Sequence, residues 1–97
     1  MKYLVIAKRR ASVQAVATVL QTTKEYVNEE LSSGRADCIY LFASGDGSGM
    51  GIANADSHEQ LVEILLRHPE YQNFEWEVQP LCDFNRITDQ MLEALRK

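Results

Sequence analysis

Apolar and polar positions alternate at the start of this chain, drift into a three- and four-residue spacing, and then alternate again. Each switch marks an element. Residues 2–9 (KYLVIAKR) are β-branched and aromatic in alternation with other apolar residues, which predicts a strand. Val13, Val16, Ala17, Leu20, Val27 and Leu31 then recur at helical spacings behind Ser12 as N-cap, and Gly34 closes that helix. Residues 37–44 (DCIYLFAS) and 50–55 (MGIANA) read as two strands joined by a glycine-rich turn, where Asp46-Gly47 is a strong hairpin signal. Ser57 and Gln60 form a capping box for a second helix with Leu61, Ile64, Leu65 and His68 on its inner stripe, ended by Pro69. Residues 74–79 (FEWEVQ) alternate without a break, as a half-buried strand does. A short last helix, capped by Thr88, carries Ile87, Met91, Leu92 and Leu95.

The resulting order, βαββαβ with a helical tail, is that of an α+β ferredoxin-like fold in one domain spanning residues 1–97. Its sheet has a problem of cover. An antiparallel sheet with helices on one face normally shows water the other, and so alternates cleanly. Only the last strand does so. The first offers Tyr3, Val5 and Ala7 on one side and Leu4 and Ile6 on the other. The second offers Ile39, Leu41 and Ala43 against Tyr40 and Phe42. Two helices cannot cover both faces, and each large apolar side chain left in water forgoes roughly 1.5–3 kcal/mol. A homodimer, or a larger homo-oligomer built from it, meets that need by joining open sheet faces.

Composition narrows the partners. The 97 residues hold 10 Lys+Arg against 14 Asp+Glu, a net charge of −4, with ten of the acidic residues after position 45. Such a chain repels phosphate backbones on average, so nucleic acid is not an expected partner. No apolar run approaches the roughly 20 residues that span a membrane, and no signal peptide is evident, which points to the cytoplasm. Cys38 and Cys82 lie far apart with no ligand spacing around them, so free thiols are expected and a metal site is not.

The stretch 51–84, GIANADSHEQLVEILLRHPEYQNFEWEVQPLCDF, resembles the muconolactone isomerase-like proteins. It has a third strand ending in small residues and an Asp-Ser step, a helix ending in Leu-x-x-x-Pro, an alternating fourth strand, and Pro80-Leu81-Cys82 after it. The resemblance implies a dimeric α+β barrel without cofactor, and proton transfer that shifts a double bond in a small unsaturated lactone. The pocket would lie between sheet and helices or at the partner's C-terminal segment.

Such chemistry needs a base beside a carbon acid and a group that stabilises the enolate. His68 is the candidate base, because its ordinary pKa suits proton transfer near neutrality; His58, in the first turn of the same helix, reads as solvated or capping. Glu75 and Glu77 share one face of the last strand, with Cβ atoms about 7 Å apart, and enclosure by a partner would make either a usable base. Tyr40, on the same face, is a candidate hydrogen-bond donor to a ligand oxygen. Lys8, Arg9 and Arg10, at the end of the first strand, form a candidate site for a carboxylate or phosphate. The glycine run fits no nucleotide motif, since the sixth position from Gly45 is Met50. The expectation is a small isomerase- or cyclase-type enzyme for an unsaturated carbonyl compound. The alternatives are a non-catalytic dimeric ligand-binding or accessory protein and, third, a heme-degrading or cofactor-free monooxygenase of the same fold class.

Overall fold

The computed structural model describes residues 1–96. Its elements are β1 (Lys2–Arg9), α1 (Ala17–Ser32), β2 (Ala36–Leu41), β3 (Gly49–Asn54), α2 (His58–Leu66), a single 3-10 turn (Tyr71–Asn73), β4 (Phe74–Leu81) and α3 (Phe84–Leu95). The four strands form one antiparallel sheet in the order β2-β3-β1-β4. This is the α+β ferredoxin-like arrangement expected from the pattern.

Two helix starts differ from expectation. Ser12 caps nothing: residues 10–13 form a turn closed by the Val13 amide on the Arg10 carbonyl (3.0 Å), and α1 begins at Ala17 behind Val16, which supplies no capping side chain. Thr88 lies inside α3, whose cap is Asp83, accepting from the Arg86 amide at 2.9 Å. A carboxylate facing the free amides of a first turn is the stronger signal. The capping box of α2 is offset by one residue. Ser57 accepts from the Gln60 amide (3.1 Å), while the Gln60 side chain takes the amide of Asp56. Gly34 turns the chain after α1 at φ +81°, and Gly45 and Gly47 shape the β2–β3 connection at φ +75° and +87°. Asp46 locks that connection by accepting from the Ser48 amide (2.8 Å) and the Ser44 hydroxyl (3.0 Å).

Register sets the faces. Tyr3, Val5, Ala7 and Arg9 of β1 pair with Ala53, Gly51 and Gly49 of β3 and with Pro80, Val78, Trp76 and Phe74 of β4, all toward the helices. An irregularity between Ala36 and Cys38 re-aims β2, so that Ile39 and Leu41 join that face and Cys38 and Tyr40 the other. Ala43 and Phe42 lie beyond the end of β2, and the Phe42 amide closes the hairpin on the Ser48 carbonyl (2.8 Å).

The core lies under α2, where Leu61 and Ile64 pack on Tyr3, Val5, Ala53 and Ala55. The far face of the sheet carries Leu4, Ile6, Cys38, Tyr40, Met50 and Ile52, with no helix over it among the described residues, and Tyr40 is 66% exposed. No residue of α3 is buried, and the molecule measures 58 × 27 × 21 Å. Among the described residues no helix is long and apolar enough to cross a membrane.

Candidate active site

Between the sheet and α1 lies a half-open cavity of about 160 Å³. Its floor includes Ala7, Gly49 and Gly51, and its roof Leu20, Thr23, Tyr26 and Val27 of α1. The glycines keep the floor bare for a packing reason. A Cβ at Gly49 would run into the Tyr40 carbonyl and Leu41 of β2, and one at Gly51 would sit 3.0 Å from the Cys38 carbonyl. Close approach of β2 and β3 therefore requires glycine, and glycine leaves room above the sheet.

The roof carries polar residues beside Leu20 and Val27, where a core helix would be apolar throughout. Thr23, Tyr26 and Glu30 recur at helical spacing and face inward, while Leu20 and Leu31 are exposed. Tyr26 donates to the Ile64 carbonyl at 2.6 Å, tying α1 to α2. Burial, helped by the negative charge of Glu30, pushes its phenol up to about 12, so it stays protonated.

Each end of the cavity holds an ion pair. At one end Arg9 donates to Glu70 at 2.9 Å, both side chains being 5% exposed or less. The same guanidinium reaches the Asp46 carbonyl (2.6 Å) and lies 4.7 Å from the centre of the Phe74 ring. The Thr23 hydroxyl, 3.1 Å from the other Glu70 oxygen and 2.9 Å from the Val19 carbonyl, shares its one proton between these two acceptors. Burial raises the Glu70 carboxyl, but the hydrogen bonds from Arg9 and Thr23 and the charge of Arg9 outweigh it and hold the group below its ordinary value. At the other end the buried Glu30 accepts from Arg35 Nε at 2.9 Å, and Glu29 lies 3.6 Å from the same guanidinium.

His68 stands among the rings of Tyr26, Trp76 and Phe74, with centroids 5.2, 5.3 and 5.7 Å away in edge-on geometry. Its Nδ1 accepts from the Glu70 amide at 3.0 Å. A ring nitrogen that accepts carries no proton, so the neutral ring has its hydrogen on Nε2. Burial holds the imidazole below its ordinary pKa; the charge of Glu70 pulls it up and that of Arg9 down. The group is thus a neutral N–H donor on the wall of an apolar chamber. The expected base role changes accordingly, because the only lone pair of the neutral ring faces the main chain.

The other sequence-derived candidates are dispersed. Glu75 and Glu77 lie on the open face, across the sheet from the cavity, and are exposed; Tyr40 shares that face by register, while its backbone carbonyl lies against Gly49 at the cavity edge. Lys8, Arg9 and Arg10 do not assemble. Lys8 points to the open face, Arg9 is consumed by Glu70, and Arg10 lies at 3.8 Å from Glu75 and bonds the Gln72 carbonyl, well before α1 begins. Strand alternation separates Lys8 from Arg9. His58 bonds the buried Tyr3 hydroxyl at 2.7 Å, a tether at the far end of the sheet. Sequence reasoning missed Tyr26, Glu30 and Glu70. The first two were visible as polar residues at helical spacing among apolar ones; nothing local marked Glu70.

The fold defines the class of small α+β proteins built on a four-stranded ferredoxin-like sheet. Among solved structures the chain is similar to a crystal structure of muconolactone isomerase, with TM-score 0.70 and 20% identity over 86% of this chain and 90% of that one. It is also similar to 5-chloro-2-hydroxyhydroquinone dehydrochlorinase from Burkholderia phenoliruptrix AC1100 in complex with 2,5-dihydroxybenzoquinone. That match has TM-score 0.58 and 15% identity, over 89% of this chain and 98% of the other. No protein-family model and no curated protein matches the sequence.

Proposed function

We propose that this chain is a small cofactor-free enzyme of the isomerase or cyclase type, moving a proton on a small unsaturated cyclic carbonyl compound. The observation that carries the reading is the neutral Nε2–H of His68 in an apolar chamber of about 160 Å³. A cavity of roughly 150 Å³ takes one benzene ring, so the volume of this half-open chamber suits a single five- or six-membered ring. A donor fixed in low dielectric stabilises a developing enolate oxygen more than it stabilises the starting carbonyl. The two carboxylates available as proton acceptors are unequal. Glu70 has both oxygens bonded, whereas among the described residues Glu30 has only Oε2 bonded, to Arg35. Glu30 is the proposed base and His68 the proposed donor. The printed names of both structural neighbours, an isomerase and a dehydrochlorinase holding a quinone, support small unsaturated rings as the substrate class.

The working form is a homodimer that joins open sheet faces across Leu4, Ile6, Tyr40 and Met50. The exposed apolar positions of α3, Phe84, Met91, Leu92 and Leu95, supply further surface for that contact. A cytoplasmic setting suits two free thiols, Cys38 and Cys82.

The test uses α-angelica lactone, whose double bond moves into conjugation on isomerisation and so changes the ultraviolet absorbance. The expected result is turnover that falls about 10²-fold in His68→Asn, which keeps an acceptor for the Glu70 amide but, being shorter, no longer places a donor at the Nε2 position. Absence of turnover at high protein concentration, with no change in Trp76 fluorescence, would defeat the enzyme reading for this ring class.

A further inference from the structure

Resting on the proposed donor role of His68, we infer that Glu70 is a positioning residue: its buried carboxylate, held by Arg9 and Thr23, fixes the turn that aims the Nε2–H of His68. His68 is followed by Pro69 and Glu70, and the Tyr71 amide closes on the His68 carbonyl at 3.0 Å. Proline stands second in this tight turn, where its fixed φ fits, and Glu70 third at φ −112° and ψ 26°. Connections of this kind are ordinarily the mobile parts of a domain. Here the turn carries the bond that sets the ring, from the Glu70 amide to His68 Nδ1 at 3.0 Å. A contact between residues two apart lasts only while the turn keeps its shape.

The side chain of the same residue keeps that shape. The Glu70 carboxylate is 3% exposed and accepts from Arg9 Nη1 at 2.9 Å, while its other oxygen lies 3.1 Å from the Thr23 hydroxyl of α1. Arg9 is fixed in turn. Its Nε donates to the Asp46 carbonyl (2.6 Å), its amide donates to Ser48 Oγ (2.8 Å), and its guanidinium lies 4.7 Å from the centre of the Phe74 ring. A Cβ at Gly47 would come within 2.9 Å of Arg9 Nη2, so glycine there lets the guanidinium lie against the hairpin. The anchor therefore joins the turn after α2 to β1, α1 and the β2–β3 connection. Stability alone is a weak reason for such a pair, because apolar side chains of similar volume often do as well. Placement is a stronger one, since a donor displaced by about 1 Å can lose up to about 10²-fold in rate.

The experiment removes both charges together, in the double variant Arg9→Met/Glu70→Leu, which should stay folded with a urea midpoint near that of the wild type. Nitrogen-15 labelling of the two histidines reports their rings, and the signals lost in His68→Asn belong to His68. In the wild type Nδ1 is expected bare and Nε2 protonated. In the double variant both nitrogens should move toward exchange between tautomers, and the amide at position 70 should exchange with solvent at least about tenfold faster. With α-angelica lactone kcat should fall about tenfold or more while KM changes little. Glu70→Gln keeps the volume and one acceptor, so it should shift the same readouts in the same direction by less; it decides the question if the double variant does not fold. An unmoved His68 spectrum and unmoved exchange at position 70 in the folded variants would overturn the inference. Absence of turnover by the wild type, with the His68 spectrum released in the variants, would defeat the proposed function and leave the positioning role of Glu70 standing.

Discussion

The two helices that cover the sheet do different work on the same surface. Under α2 the space is filled: Leu61 and Ile64 are 2% and 5% exposed against a Tyr3 that is 1% exposed. Under α1 the one buried helical residue is a glutamate, Glu30, and the space is left open. The contrast shows how a chain of this size holds a cavity. Apolar packing is concentrated in one half, and the other half is framed by hydrogen-bonded side chains anchored at their ends.

That contrast is open to direct attack. The largest effect is expected from Arg9→Leu, which strands Glu70 as a lone buried charge; a loss of about 3–5 kcal/mol should appear in urea unfolding. A small loss there would mean that the cavity's end is wetter than its burial suggests. Next, Leu61→Ala on the packed side should cost about 2–5 kcal/mol, whereas Leu20→Ala on the cavity side, half exposed, should cost under about 1 kcal/mol. Equal losses would erase the distinction between the halves. Gly49→Ala forces a methyl into the backbone of β2 and should cost about 1–3 kcal/mol, with amide exchange rising first in β2.

The smallest effect is in pH. The imidazole of His68 lies below its ordinary value of 6.5 when folded, so the unfolded chain takes up the proton first. Stability from this group is complete above pH 6.5, declines as pH falls below it, and levels off once the folded ring titrates. Glu70, also depressed, contributes stability above its ordinary value of 4.5 and loses it as pH falls through its lower folded value. Thermal melts of the wild type and His68→Asn should diverge between these windows and run parallel above pH 7. Parallel curves throughout would detach His68 from the stability of the cavity.

Much of the fold was legible in the sequence, and less of the site. The strand and helix order followed from period alone, because a two-residue or 3.6-residue repeat of apolar side chains needs no knowledge of partners. The caps of α1 and α3 were misplaced because Ser12 and Thr88 are locally adequate caps, and only the competing turn at residues 10–13 and the carboxylate of Asp83 decide against them. His68 was found for its residue type and its place on the α2 stripe, but its tautomer depends on an amide two residues on, in a turn after Pro69.

By itself, then, the amino-acid sequence determined the element order, the α+β class, the glycine hairpin and the excess of apolar residues on the far face of the sheet. These are properties of neighbours in the chain. Tertiary structure alone decided that Arg9 meets Glu70, that Thr23, Tyr26 and Glu30 roof a chamber floored by Gly49 and Gly51, and that Glu75 and Glu77 stand on the wrong side of the sheet to share it. Those contacts join residues tens of positions apart, and their energies depend on burial and alignment. Neither exists until the chain has closed.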